Sequence, residues 1–193
     1  MRKQWSPALL ILTLLASEVA VRAKAHAPNP DAKPAELRDG QHDFDFEIGS
    51  WKAHLKRLTH RFTGSDTWGE YNGTSVVTKR WNGRANIGKV DVDGPQGQIQ
   101  GLALRLYNPQ SHQWRLYWAN RNDAFLQVPT MGQFDNHRGE LFDQEDFQGR
   151  SIFVRFLFSD LATTSFRTEQ AFSPDGGETW KPNWTAAFTC ERK

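Results

Sequence analysis

The sequence has almost no cysteine: Cys190 stands alone among 193 residues. A single thiol closes no internal disulfide, so no covalent staple holds the fold, and Cys190 is read as either a free thiol or an inert buried one. Metal-ligand spacing is missing too. His42, His54, His60, His112 and His137 are scattered, with no His-x-x-x-His or Cys-x-x-Cys, so no metal site is read. No Ser–His–Asp or Cys–His arrangement can be read, and no motif calls for a cofactor. The chain also lacks a long apolar run. Pro7 to Ala16 is about half of the roughly 20 residues that a membrane-spanning helix needs, which excludes an integral span. No stretch carries a helical apolar stripe over the roughly 11–18 residues that would mark a helix.

Neither sign of charge dominates. Met1 to Ala25 reads as a secretory leader: Arg2 and Lys3, the apolar run, then Ala23-Lys24-Ala25 as a small-x-small cleavage site. That leader takes four of the 24 basic residues (Arg2, Lys3, Arg22, Lys24) and one of the 22 acids (Glu18), leaving 20 against 21. The remaining charges are interspersed, so a nucleic-acid partner is excluded. The expected location is periplasmic or secreted. His26 to His42, rich in Pro, Ala and charge, is expected to be a flexible lead-in. One domain, 43–193, should follow.

From Phe44 onward, aromatic and β-branched residues alternate with polar ones, and turn residues interrupt them every eight to twelve positions. Strands are expected at Trp51–Leu58, Trp68–Arg80, Ala85–Asp93, Ile99–Tyr107, Gln113–Asn120, Thr130–Asn136, Glu140–Phe147, Arg150–Ser159, Phe166–Phe172 and Trp180–Phe188. About ten strands in consecutive hairpins with one apolar face predict an all-β fold, an antiparallel up-and-down barrel closed to remove its edges. The pattern assigns Leu102, Leu104 and Leu106 to one face of their strand. It groups Trp114, Leu116 and Trp118 on a second strand, and Ile152, Val154, Phe156 and Phe158 on a third. Arg105, Arg115 and Arg155 are left for the outer surface. Trp51, Ala53 and Leu55 face inward, with Trp51 expected to seal the closed end. His54 then points outward, which argues against haem held by that histidine.

Four segments, HDFDFEIGSW, YNGTSVV, LALRLYNPQSHQWRLYW and EQAFSPDGGETWKPNW, together resemble a family of exported bacterial proteins, a domain of unknown function with a lipocalin-like (calycin-type) β-barrel. The resemblance runs from His42 to about Thr189. It implies a barrel with an interior pocket and carries no assigned reaction. Within the last segment, SPDGGETW (Ser173–Trp180) is similar to the Asp-box of sialidases. A propeller would repeat that motif across blades, and one copy stands here. A hairpin reading accounts for each residue: Asp175 bonding its own turn, Gly176 and Gly177 at positive φ, and Trp180 as cover.

Candidate chemistry concentrates on the inner face. Trp114, Trp118, Asn120, Thr168, Gln170, Phe172 and Trp184 combine aromatic bulk with a few polar groups, the usual make-up of a small-molecule site. The alternative is that they fill a core. The leading expectation is a barrel that binds a small apolar or amphipathic molecule. The runner-up is an enzyme of isomerase, lyase or hydrolase type with its site in the barrel mouth, and the third is an assembly module using the outer face. Acid–base work could draw on Asp143, Glu145 and Asp146, or on Glu70 and Glu169; the first three sit beside the turn Gln148-Gly149 and read as solvated, and Glu169 reads as outward.

Overall fold

The alternating segments become ten antiparallel strands: β1 (Gly49–Leu58), β2 (Trp68–Arg80), β3 (Ala85–Gly94), β4 (Gly97–Asn108), β5 (Gln113–Asn120), β6 (Thr130–Asp135), β7 (Arg138–Phe147), β8 (Arg150–Ser159), β9 (Ser165–Ser173) and β10 (Lys181–Cys190). The structure, a computed structural model, describes residues 38–191, so the expected leader and most of the expected lead-in lie outside the described residues. Each strand pairs with the next, and β10 closes on β1 from Trp51↔Cys190 to Arg57↔Trp184. Closure leaves no strand edge unpaired, as the run of hairpins predicts.

The two ends of the barrel differ. Short connections at 81–84, 109–112, 136–137 and 160–164 join strands at one end. A 3-10 turn (Asp45–Glu47) entering β1 tucks in there with Phe44. The Phe44 ring meets Trp114, Phe134 and Phe158 edge-on at 4.8, 4.8 and 4.9 Å, the arrangement that aromatic quadrupoles favour. Trp51 donates from Nε1 to the Glu47 carbonyl at 2.7 Å and packs edge-on against Phe166 at 4.9 Å, so it lies at this closed end as expected. The opposite end carries the longer segments 59–67, 121–129 and 174–180 and opens to solvent.

Residues 38–42, expected within the flexible lead-in, dock instead. Trp114 Nε1 donates to the Gly40 carbonyl at 2.9 Å, and the Gly40 amide donates to Tyr107 Oη at 2.9 Å. Arg38 grips Asp43 and donates to the Phe134 carbonyl at 3.0 Å. Buried polar groups of Trp and Tyr find their partners in this backbone.

β4 corrects two expectations. Its inward residues are Ile99, Gly101, Ala103, Arg105 and Tyr107, while Leu102 points out and is 52% exposed. The inner wall must be thin here because tryptophans face it: a Cβ on Gly101 would fall 2.1 Å from Trp118 Cζ2. Arg105, expected on the surface beside Arg115 and Arg155, is buried inside the barrel. Arg115 is exposed, and Arg155 is half-buried on the outside against Glu169.

The closed end dominates the packing, so truncating its centre should be costly. Phe44→Ala is expected to lose about 3–5 kcal/mol of stability, whereas Phe125→Ala, at a 59% exposed loop residue, should change it by under about 0.5 kcal/mol. Urea denaturation of the two variants measures both.

Candidate functional site

Above the packed end the barrel is hollow. A cavity of about 290 Å³ runs from the closed end to the open mouth, at the small end of the roughly 300–1,000 Å³ typical of small-molecule sites. Of the seven residues singled out from sequence, Trp118, Asn120, Thr168, Gln170, Phe172 and Trp184 line it. The Trp118 and Trp184 rings approach edge-on at 6.4 Å. Asn120 also caps its turn, its Oδ1 accepting from the Asn122 amide at 3.0 Å. Trp114 does not line the cavity. It is fully buried in the plug around Phe44, because its place near the start of β5 puts it at the closed end.

The cavity floor is a buried ion pair that pattern reading missed. Arg105 Nη2 lies 3.1 and 3.0 Å from Glu47 Oε1 and Oε2 and donates to Oε1. Its Nη1 donates to Asn86 Oδ1 at 3.0 Å. Glycine at 88 makes room, since a Cβ there would come within 3.1 Å of Nη1. The guanidinium lies over the Phe44 and Phe158 rings at 5.2 and 5.9 Å, a cation–π arrangement. Burial pushes the Glu47 carboxyl up to about 7 against the opposing pull of Arg105, and burial likewise lowers the Arg105 guanidinium. Three buried polar atoms on the cavity lining have no hydrogen-bond partner: Glu47 Oε2, Arg105 Nε and Thr130 Oγ1.

The mouth carries Arg57, Arg61, Asp123, Gln127 and Glu145. Arg61 lies 5.7 and 5.6 Å above the Phe147 and Phe172 rings, and burial, then Arg57, lowers its guanidinium. Asp143 and Glu145, expected to be solvated, share the inward face of β7 with Leu141 and Phe147. Both Asp143 oxygens are buried without a donor. The neighbouring carboxyl is Glu145, an acceptor like itself, so a single proton is what joins them. Burial raises Asp143 to about 7, with Glu145 adding to the rise; burial also raises Glu145, which Arg61 opposes. Asp146 is exposed as expected, its Oδ1 accepting from the Gly149 amide. Strand parity, read from Leu141, was the available signal for Asp143 and Glu145.

SPDGGETW forms the β9–β10 connection at the open end. Ser173 Oγ accepts from the Gly177 amide at 2.8 Å, and Asp175 Oδ1 accepts from the Thr179 amide at 2.9 Å. Hydrogen bonds from Thr179 and Ser173 hold the Asp175 carboxyl down to about 2. Gly176 and Gly177 take φ of 75° and 95°. Trp180 turns outward over Arg155 at 4.9 Å and against Phe142. Among these eight residues none lines the cavity. His54 points outward to Asn72, and Cys190 is exposed. Among the described residues no three His, Cys, Asp or Glu side chains gather as a metal site, and no helix is long and apolar enough to cross a membrane.

No protein-family model and no curated protein matches the chain. Among solved structures, the S-type phycobiliprotein lyase CPES from Guillardia theta is similar at 9% identity and a TM-score of 0.55, covering 81% of this chain and 94% of that one. EF1p2_mFAP2b bound to DFHBI aligns at 8% identity and a TM-score of 0.44, over 79% and 99% of the two chains. A de novo designed fluorescence-activating β-barrel aligns at 11% and 0.42, over 80% and 100%. The likeness to the lyase is one of fold, a closed β-barrel.

Glu47 and Asp143 ordinarily titrate near 4.5 and 3.8 and here near 7, so each takes up a proton on folding in the interval between. Stability then falls as pH rises from about 4 to about 7 and levels above. Asp143→Asn supplies a permanent donor to Glu145. It should remove the Asp143 share of that slope, leaving that of Glu47, and raise Tm by a few degrees near pH 8, as read by thermal unfolding across pH.

Proposed function

We propose that this barrel binds a small amphipathic molecule in its interior, apolar body against the aromatic wall and polar head toward the floor. The observation that supports this most directly is the cavity itself. Protein interiors are packed to near crystal density and leave few voids, yet here an open space of about 290 Å³ lies between Trp118, Trp184, Phe156 and Phe172. Glu47, Arg105 and Thr130 line it, and each carries a buried polar atom without a hydrogen-bond partner, Oε2, Nε and Oγ1. Apolar walls with a few convergent polar groups are what such sites offer a ligand. The leader-like first 25 residues support an exported protein, so the ligand would be met in the periplasm or outside the cell.

A second reading, acid–base chemistry at the mouth by an isomerase, lyase or hydrolase, has Asp143 and Glu145 in its favour. A carboxyl that keeps its proton beside one that loses it is how such sites divide acid and base roles. Reach favours binding instead. Asp143 does not line the cavity and both its oxygens are buried, whereas a general acid must come within hydrogen-bond distance of the reacting atom.

Prodan, a neutral fluorophore with an apolar ring system and one carbonyl, tests the reading. It should bind saturably at one site per chain and quench the fluorescence of Trp118 and Trp184. Ala103→Phe fills the space opposite Trp118 and should weaken binding about tenfold or more, roughly 1.4 kcal/mol, with an unchanged far-ultraviolet circular dichroism spectrum. Absence of saturable binding to the unsubstituted protein, or equal affinity in the folded variant, would sink the proposal.

A further inference from the structure

We infer that the cavity floor is a proton-coupled anion anchor: the barrel takes an apolar carboxylic acid whose carboxylate sets against the Arg105 guanidinium, while Glu47 accepts a proton from water on its unpartnered Oε2. The inference rests on the interior binding proposed above and adds the chemical class of the head group.

The donor count carries it first. A guanidinium offers five N–H groups and accepts nothing. Arg105 spends one Nη1 bond on Asn86 and one Nη2 bond on Glu47, and its Nε has no partner. In a site this buried, an unmet donor costs on the order of 1–3 kcal/mol, and what satisfies it is an acceptor oxygen. At the mouth Arg57 and Arg61 are balanced by Asp123 and Glu145, so the preference for an anion rests on the floor itself.

Charge balance then dictates the proton. Arg105 is neutralised by Glu47 alone, and a second carboxylate would leave two anions on one cation. Like charges in one site push one of the two toward its neutral form. Glu47 is the member already poised to yield, because burial lifts its carboxyl to about 7 even beside Arg105. Protonation on Oε2 leaves the Nη2–Oε1 hydrogen bond in place and gives up the ion-pair contact of Oε2 with Nη2 at 3.0 Å, which the incoming carboxylate replaces. The new O–H can donate to the incoming carboxylate, so the floor stays neutral overall. No other charge interferes: Arg105 is the charged group acting on Glu47. Asn86 of β3 and Ser75 of β2 are neutral, and Asp45, two residues before Glu47, pairs outside with Lys79 at 2.7 Å.

The test compares 1-naphthaleneacetate with its neutral isostere 1-naphthaleneacetamide, following tryptophan fluorescence and calorimetry in buffers of different ionisation enthalpy. The acid should bind about tenfold tighter than the amide near pH 6, lose affinity by up to roughly tenfold per unit above about pH 7, and take up about one proton per site near pH 8. Glu47→Gln should still bind the acid, with no proton uptake and no pH slope between about 6 and 8. Equal affinity for acid and amide overturns the anchor and leaves interior binding standing. Acid binding without proton uptake by the unsubstituted protein also overturns it, as does a pH slope that survives in a folded Glu47→Gln. If neither compound binds, the anchor and the interior-binding reading fail together.

Discussion

A carboxylate and a guanidinium buried side by side hold the entering segment of this chain inside its own barrel. Glu47 comes from the turn that precedes β1 and Arg105 from the inner face of β4. Their attraction is strengthened by the low dielectric around them and opposed by the desolvation of both ions. Removing one partner of such a pair typically costs about 3–5 kcal/mol, whereas replacing both with apolar groups is often neutral. Stability alone therefore does not account for the pair. What an apolar replacement would lack is polarity at the base of a hollow. The same guanidinium lies over Phe44 and Phe158, so the ion pair and the aromatic plug are one assembly, packed below and polar above.

The hollow exists because the wall is uneven. Strands β2 to β4 turn small residues inward, Ser75, Gly88, Gly101 and Ala103, while β5 and β8 to β10 turn in Trp118, Phe156, Phe172 and Trp184. Rings on one side thus face bare backbone on the other. At Gly101 the fit is tight enough that a methyl group would collide with Trp118. The room at Gly88 goes to the Arg105 guanidinium, whose Nη1 a Cβ there would approach within 3.1 Å. Toward the closed end the inward side chains are large again, Tyr107 and Trp114, and the interior fills. Alternating bulk along the barrel axis therefore decides where the cavity begins and ends.

The barrel itself was legible because closure needs only the count of hairpins and the alternation within each, and both are written in turn residues and parity. Six of the seven side chains singled out as lining face the cavity for the same reason. Parity misled on β4, where the outward residues Leu102, Leu104 and Leu106 are more apolar than the inward ones. A hydrophobic pattern marks two faces, and it names the inner one only when the outer face is polar. Arg105 was misplaced by the same inversion. Glu47 precedes the first strand, so no periodicity places it, and its partner lies 58 residues away in sequence. On β7 the parity was intact, but nearness to a turn outweighed it, and Asp143 and Glu145 were read as solvated.

Three carboxyls face apolar interior surroundings, and they differ in what resolves their charge. Asp143 has an acid for a neighbour, so a proton is the remedy available to it, and its closed position makes that proton structural. Glu145 has Arg61 opposite it and borders the cavity, so its charge faces whatever enters. Glu47 has the Arg105 guanidinium within 3.1 Å of both oxygens but a hydrogen bond on only one, and it lines the cavity floor. Burial raises all three, and reach separates them. A carboxyl that lines the cavity and is hydrogen-bonded on one oxygen alone is the one whose protonation can respond to a ligand, and in this barrel that description fits Glu47.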